Sequence, residues 1–276
     1  AVMALAGPAF GAGERVEPPA EAWSFSGPFG KFDQAQLQRG QNVVKEVCAS
    51  CHSMNLIKLR NLSQPGGPGF TASQVAALAA TYTVKDGPNE SGEMFDRPGR
   101  PADAFPAPFP NEQAARAASG GAYPPDLSVL AKARTYERGF PWFIFDIFTQ
   151  YQEQGPDYIT ALLRGYTEPP AGHSPLLPGQ YYNTYMPGHL IAMPQPLNDG
   201  QVEYPKGPDG KPQVPETVAQ YAKDVSAFMM WMAEPHLEAR KRIGMQVMLF
   251  LIIFAGLLYY TKKKVWSRLP EHASSH

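Results

Sequence analysis

The sequence predicts an all-α fold with long loops, in which a large helical domain is followed by one C-terminal membrane-spanning helix. Proline occurs 29 times and glycine 25 times among 276 residues, a composition that favours irregular loops over sheet. Short segments with helical spacing of apolar residues interrupt these loops. Near the C-terminus, 17 consecutive residues carry no charge, which is typical of a membrane span.

The first residues have the character of a targeting segment. Residues 1–10 read AVMALAGPAF and are followed by small residues, as at the end of a secretory signal. We therefore expect 1–13 to be a residual signal-like segment, with a loosely packed N-terminus as the alternative. The main domain is expected to occupy 14–238.

Apolar spacing and capping residues predict the helices of this domain. In chain order they are Asp33–His52, Thr71–Tyr82, Asp126–Arg134, Pro156–Arg164 and Glu216–Met232. Asp33 and Asp126 are expected to cap their helices, because an aspartate side chain accepts hydrogen bonds from free N–H groups of the first turn. Along Glu216–Met232 a stripe of apolar residues is expected, formed by Val218, Tyr221, Ala222, Val225, Phe228 and Met232. A polar hinge over Ala233–Ala239 is expected to lead into the anchor.

Long loops separate these helices. Lys85–Gly121 is rich in proline, glycine and charge and is predicted to be a surface excursion, while Thr167–Pro215 is predicted to be mostly loop. Gln64–Gly69 reads QPGGPG and predicts turns. Such loops lack enough backbone hydrogen bonds to order themselves, so we expect a large apolar group to organise them.

Charge is divided unevenly along the chain. Residues 1–238 contain 24 acidic and 17 basic side chains, a net charge of −7, whereas 239–276 has 1 acidic and 7 basic side chains, a net charge of +6. An acidic domain argues against nucleic acid as a partner, since phosphate requires basic surface. It suits a basic protein partner, or simply solubility.

The uncharged run Gly244–Tyr260 predicts a single transmembrane anchor over 239–262. A helix of this length rises about 25 Å, and the long side chains of Arg242 and Lys262 can extend towards the polar edges of the lipid layer. Basic residues flank both ends, so the charge rule only weakly favours a cytoplasmic tail over 263–276.

The strongest chemical signal is Cys48-Ala49-Ser50-Cys51-His52, the C-x-x-C-H pattern of covalent haem attachment. At the end of a helix, cysteines three apart face the same side, so each thiol can bond one vinyl group of the porphyrin, and His52 can then bind iron. A zinc site would need a second ligand pair, and a thioredoxin-like dithiol would need a strand before it. One covalently bound haem c is therefore predicted. Since such attachment occurs outside the cytoplasm, the domain is expected in the periplasm.

The sixth iron ligand is less determined by the residues alone. Candidates are Met54, Met94, Met186, Met193, His173, His189 and His236. Met54 is too close to His52 to reach the opposite face of the ring. Met193, in an apolar stretch before Pro194, is favoured, and Met186 is its rival.

Several segments together resemble the cytochrome c1 family, the haem-bearing subunits of quinol–cytochrome c reductase (cytochrome bc1) complexes. The resemblance runs from about Phe25 to Trp266. It is carried by GPFG at 27–30, CASCHSM at 48–54, PPDLS at 124–128, AMP at 192–194 and WMAEP at 231–235.

The resemblance implies roles for individual residues. Cys48 and Cys51 would hold the haem, and His52 and Met193 would be the two axial ligands. Arg134 would pair with a haem propionate. The carbonyl of Pro125 would accept the His52 ring N–H and orient the imidazole.

The resemblance also implies a function. The chain would carry single electrons from a Rieske iron–sulfur protein to a soluble cytochrome c, beside cytochrome b, as a subunit of a dimeric reductase with no substrate chemistry of its own. It would be a single-pass protein of a bacterial inner membrane, with lipid around the anchor and a cytoplasmic C-terminus. The alternatives are a membrane-tethered haem gas sensor and a haem subunit of a terminal oxidase or nitric oxide reductase.

Overall fold

The computed structural model describes residues 16–134, 136, 140–141, 144–145, 154–208 and 210–267. Its helices are α1 (Gln34–Glu46), α2 (Ala72–Ala80), α3 (Glu112–Ala118), α4 (Leu130–Ala133), α5 (Gln154–Arg164), α6 (Val218–Ala233) and α7 (Leu237–Trp266). The predicted signal-like segment 1–13 and the part of the tail beyond residue 267 lie outside the described residues.

Two small antiparallel hairpins accompany the helices. Strand β1 (Thr83–Asp86) pairs with β2 (Phe95–Pro98), and β3 (Tyr181–Tyr182) pairs with β4 (Leu190–Ile191). Loops make up most of the remaining chain. The structure is thus mostly helical with long loops, which confirms the predicted fold class.

Helix α6 is the centre of the domain. It packs against α1, α4 and α5, and its side chains are buried on every side rather than along one stripe. The buried residues beyond the predicted stripe are Asp224, Ser226, Ala227, Met229, Met230 and Trp231. Because three helices pack around α6, no face of these positions is left to solvent, and the apolar residues extend beyond one stripe.

Helix α1 crosses α6 at very short range. A Cβ atom on Gly40 would lie 2.2 Å from the backbone oxygen of Asp224, so only glycine permits this approach. Beside it, Arg39 binds the Asp224 carboxylate through Nε at 2.8 Å. The crossing fixes α1, and with it the segment 48–52 that follows, against the central helix.

The two predicted helix caps have different outcomes. Asp33 caps α1 by accepting hydrogen bonds from Ala35 N and Gln36 N, which confirms the prediction. Asp126 does not cap α4, because that helix begins at Leu130, after Val129. Helix α1 is also shorter than predicted and ends at Glu46.

The predicted polar hinge is a short connection between α6 and α7, and the residues around it form several hydrogen bonds with the domain. Only Glu234-Pro235-His236 separates α6 from α7, and Leu237 is buried in the domain core. Glu238 and Lys241 on the first turns of α7 also hydrogen-bond to the segment 25–32 of the domain. The anchor therefore leaves the domain from a fixed position.

Beyond this corner α7 stands free of the domain. Its most apolar window has a mean hydropathy of 2.1 and none of that window is buried. A helix of 30 residues is about 45 Å long, which exceeds a hydrocarbon layer of about 30 Å. Helix α7 thus fits a single transmembrane anchor.

Candidate haem site

The two cysteines and the adjacent histidine lie in the turn that follows α1. Val47 ends the helix, a 3-10 turn covers Cys48–Ser50, and the N–H groups of Cys51 and His52 both donate to the Cys48 carbonyl. Both cysteines are free thiols: Cys51 is exposed, while Cys48 is partly buried against the core. A compact turn therefore presents two thiols and one imidazole together.

Burial controls the protonation of the first thiol. It raises the pKa of Cys48 to about 12, and the nearby Cys51 acts in the same direction. The Cys48 sulfur is therefore a neutral thiol at physiological pH.

His52 is oriented by a backbone carbonyl. Its Nδ1 atom lies 2.7 Å from the oxygen of Pro125, and because a carbonyl can only accept, Nδ1 carries the proton. Burial lowers the pKa of His52, although the Pro125 bond and Asp126 oppose the shift. The neutral ring thus keeps its Nε2 lone pair, the form required of a metal ligand, and Nε2 has no hydrogen-bond partner among the described residues.

Asp126 ties this segment to the chain after His52. Its carboxylate accepts from Ser53 Oγ at 2.8 Å, from Asn55 N at 2.9 Å and from Ser128 N at 2.8 Å. Burial would raise the pKa of Asp126, but these bonds outweigh it and the pKa is lowered. The ionised side chain therefore holds Pro125 in register with His52.

The two methionine candidates have different surroundings. The sulfur of Met186 accepts a hydrogen bond from Tyr158 Oη at 3.8 Å. Met193 is partly buried and follows β4, and its backbone oxygen accepts from Tyr166 Oη at 3.1 Å. The Met193 contact fixes the backbone and leaves its sulfur unengaged by hydrogen bonds in the described chain.

The structure brings together four of the predicted site residues and leaves two apart. Contacts join Cys48, Cys51, His52 and Pro125. Neither Met193 nor Arg134 is linked to them by a hydrogen bond or ion pair within the described ranges. Arg134 is exposed at the end of α4, and its guanidinium has no acidic partner in this part of the chain.

These features fit a haem. Two thiols and an imidazole nitrogen are available on one turn, and large apolar side chains are exposed later in the described chain. They include Val129, Phe140, Phe145 and Leu190. The two thiols and the imidazole are the donor set that a porphyrin bonded at Cys48 and Cys51 requires.

The sequence of the whole chain decides the family. The model of the Cytochrome C1 family matches residues 23–269. The chain belongs to the cytochrome c1 family. It is therefore a haem protein of electron transfer, and the apolar α7 fits a transmembrane helix.

Three relatives illustrate the similarity. Over 251 residues the chain is 64% identical to cytochrome b/c1 of Bradyrhizobium diazoefficiens, covering 91% of this chain but only 36% of that protein. It is 50% identical to cytochrome c1 of Blastochloris viridis, covering 90% and 86% of the two chains. It is 40% identical to cytochrome c1 of Rhodospirillum rubrum, covering 96% and 93%.

Within this cytochrome c1 chain, the charged excursion is less acidic than its sequence indicates. Arg97 binds Asp103 through two bonds of 2.8 and 2.9 Å and also binds Asp86. These contacts hold the pKa of Asp103 at about 2. Among the acidic residues of this excursion, Glu90 and Glu93 at the hairpin tip lack an ion pair in the described structure. Asp96 approaches Lys85 at 3.9 Å, and Glu112 pairs with Arg116.

Sequence reasoning missed two residues that build this site. Asp126 was assigned to a helix cap, and Ser53 was given no role. The available signal for Asp126 was its place in PPDLS, directly after two prolines that cannot donate backbone hydrogen bonds. No local pattern marks Ser53, because its partner Asp126 is 73 positions away.

Proposed function

We propose that this chain carries one covalently bound haem c and transfers single electrons within a quinol–cytochrome c reductase. The observation that carries the proposal is the turn after α1, where two free thiols adjoin His52 with its Nδ1 proton bonded to Pro125. A neutral, oriented imidazole beside two thiols has the donor set of a c-type haem.

Each residue of the site has a distinct task in this proposal. Cys48 and Cys51 would hold the haem through thioether bonds to its two vinyl groups. His52 would bind the iron through Nε2, while Asp126 keeps the Pro125 carbonyl in place for the His52 Nδ1 proton. Arg134, exposed and without an ion pair in the described chain, binds a propionate.

Met193 is proposed as the sixth ligand. Tyr166 fixes its backbone, whereas the sulfur of Met186 already accepts a bond from Tyr158. When bound, haem with a histidine and a thioether ligand supplies a one-electron couple of high potential. With His52 and Met193 both bound to iron, no iron position would be open to a substrate or gas, which favours an electron carrier over a sensor.

The name of one relative, cytochrome b/c1, supports cytochrome b as a partner. We propose cytochrome b as the membrane partner, a Rieske iron–sulfur protein as electron donor, and a soluble cytochrome c as acceptor, in a dimeric complex. The haem domain would lie in the periplasm of a bacterial inner membrane, with the C-terminus of α7 in the cytoplasm.

The proposal is tested in the purified detergent-solubilised complex. A quinol should reduce the haem of this chain before a soluble cytochrome c is reduced, and the haem should stay on the chain in denaturing gel electrophoresis. Cys48→Ala with Cys51→Ala should abolish that retention. Haem lost from the unsubstituted chain would refute covalent attachment, and carbon monoxide binding to its ferrous form would favour the gas sensor.

A further inference from the structure

An unusually exposed aromatic side chain lies in the turn Gly27–Gly30. Phe29 is 76% exposed, and its neighbours Pro28 and Lys31 are exposed as well. An exposed phenylalanine ring is unfavourable in water, because moving its apolar surface out of water lowers the free energy. Contact with an apolar surface outside the domain would therefore stabilise this side chain.

Both sides of this turn are bonded to the membrane anchor. The carbonyl of Gly27 accepts from Lys241 Nζ at 2.6 Å, and the N–H of Phe32 donates to Glu238 Oε1 at 3.0 Å. Glu238 precedes Lys241 by three positions, about 4.5 Å along the helix axis. The start of the turn, at Gly27, is therefore bonded to α7 closer to the membrane span than the segment after the turn, at Phe32.

The membrane boundary lies just beyond this level. Ile243 follows Lys241 by two positions, about 3 Å of helix rise, and the uncharged run Gly244–Tyr260 starts directly after it. The polar headgroup region extends roughly 5–8 Å outside the hydrocarbon layer. Gly27 is bonded to Lys241 of α7 within the thickness of the headgroup region, and Phe29 follows Gly27 by two residues.

The backbone of the turn determines where Phe29 stands. Gly27 has a φ of +68°, and a Cβ on Gly30 would lie 2.1 Å from the oxygen of Ser26, so the turn is tight. Lys31 N also donates to Ser24 O at 3.0 Å. The backbone that carries the Phe29 ring is therefore a tight turn fixed by hydrogen bonds.

We propose that the turn Gly27–Gly30 is a second membrane contact of the haem domain. Phe29 lies between lipid headgroups and acyl chains, where aromatic side chains are favoured. Lys31 reaches the lipid phosphates, which attract basic side chains near the surface. A single helix permits the domain to tilt, whereas a helix and a second contact set its tilt and hence the height of the haem above the membrane.

The test uses the full chain, with its haem, in the complex reconstituted into lipid nanodiscs. Phe29→Cys carries a nitroxide spin label, and collision rates are measured with oxygen, which concentrates in lipid, and with a water-soluble nickel chelate. Met94→Cys on the β1–β2 hairpin, 59% exposed, is the aqueous control, and Met248→Cys within the apolar run of α7 is the membrane control. The unsubstituted chain should take up no label if Cys48 and Cys51 are bonded to haem.

Each outcome is decisive. A label at position 29 with high oxygen and low nickel collision rates, closer to position 248 than to position 94, supports the lipid contact. High nickel accessibility would place Phe29 in water and overturn the proposal. Low accessibility to both reagents would also overturn it, because a protein partner would then cover the turn. Labelling of the unsubstituted chain would instead contradict haem attachment.

Discussion

Lys132 on α4 forms a 2.7 Å ion pair with Glu234, the first residue of the corner between α6 and α7. Arg240 on the first turns of α7 binds the same carboxylate. The Glu234 side chain is mostly buried, whereas both basic partners are about half exposed. One carboxylate thus connects the helix that follows the Pro125 segment with the membrane anchor.

Replacing Glu234 should destabilise this connection. Glu234→Ala removes two ion pairs at a mostly buried carboxylate, and because both partners are partly solvated we expect a loss of about 1–2 kcal/mol in the free energy of unfolding. Denaturant unfolding of the haem domain in detergent, followed by circular dichroism, measures it. The matched control is Glu112→Ala, which breaks an exposed pair with Arg116 and should cost less than about 0.5 kcal/mol.

The pH dependence of this effect has a defined sign. Burial opposes ionisation of Glu234, but Arg240 and Lys132 outweigh it and the pKa is lowered. Its contribution is therefore fully present above the unfolded pKa of about 4.3 and disappears as pH falls through the lower folded pKa. The difference in stability between the unsubstituted chain and Glu234→Gln should shrink as pH falls from about 5 through the lowered pKa of Glu234. A difference that grew on acidification would contradict the assignment.

The buried pair between α1 and α6 should matter more. Asp224 is fully buried and accepts from Arg39, from Tyr204 Oη at 2.9 Å and from Gln220 Nε2 at 2.9 Å. Asp224→Ala leaves Arg39, 12% exposed, without its counter-charge, so we expect a loss of about 3–5 kcal/mol in the free energy of unfolding.

Chemical denaturation of the holoprotein checks this value. Lys85→Ala, at an exposed and distant pair of 3.9 Å, serves as control and should change stability by less than about 0.5 kcal/mol. The double variant Arg39→Met, Asp224→Leu should recover part of the loss, since no charge is then left buried. Equal effects of Asp224→Ala and Lys85→Ala would show that the pair contributes little.

The sequence predicted those features whose determinants are local. The Asp33 cap depends on N–H groups two and three residues away, and the C-x-x-C-H spacing is contained in one turn. Asp126 was misassigned because its partners Ser53 and Asn55 are more than 70 residues distant. The burial of Asp224 could not be predicted for the same reason. A charged residue on a helix is expected to face solvent unless its partner is known, and the partner Arg39 lies 185 positions away.

The charged excursion shows a second limit. Strands β1 and β2 have four residues each and are mostly exposed, so neither alternation nor apolar content marks them. Arg97 stabilises them by binding Asp86 and Asp103, a contact that spacing alone does not reveal. The helix α3 within the same segment is also short, at seven residues.

The unpaired acidic residues at the hairpin tip are expected to attract a basic cytochrome c. Glu90→Gln with Glu93→Gln should slow electron transfer to it about 2- to 10-fold at low ionic strength and weaken the salt dependence of the rate. Stopped-flow oxidation of the reduced complex at several salt concentrations measures both. Neutralising Asp86 and Asp103 should slow the reaction less than neutralising Glu90 and Glu93, because Arg97 already offsets part of their negative charge.

A control with equal charge change distinguishes local attraction from net charge. Glu17→Gln with Glu203→Gln alters two exposed acids outside the excursion and should have a smaller effect at every salt concentration. If both double variants slowed the reaction equally, net charge would explain the rate and the hairpin would have no special role. A rate independent of ionic strength in the unsubstituted complex would exclude steering altogether.

The identity of the sixth iron ligand separates a carrier from a sensor. Met193→Lys keeps a ligand but exchanges a soft thioether for a hard amine, which stabilises ferric iron and should lower the reduction potential strongly; each ~59 mV is a factor of about 10 in a one-electron equilibrium. Met193→Leu should open the iron, so that the ferrous protein binds carbon monoxide. Redox titration and optical spectra of the complex report both effects.

Met186→Leu is the matched control for the same readouts. Its sulfur accepts from Tyr158 at 3.8 Å, so its loss should leave the potential and carbon monoxide binding near those of the unsubstituted protein. Both Met193 variants should retain haem, because Cys48 and Cys51 are unchanged, while losing quinol-driven reduction of cytochrome c. If Met186→Leu opened the iron and Met193→Leu did not, the ligand would be Met186 and the electron-carrier function would still stand.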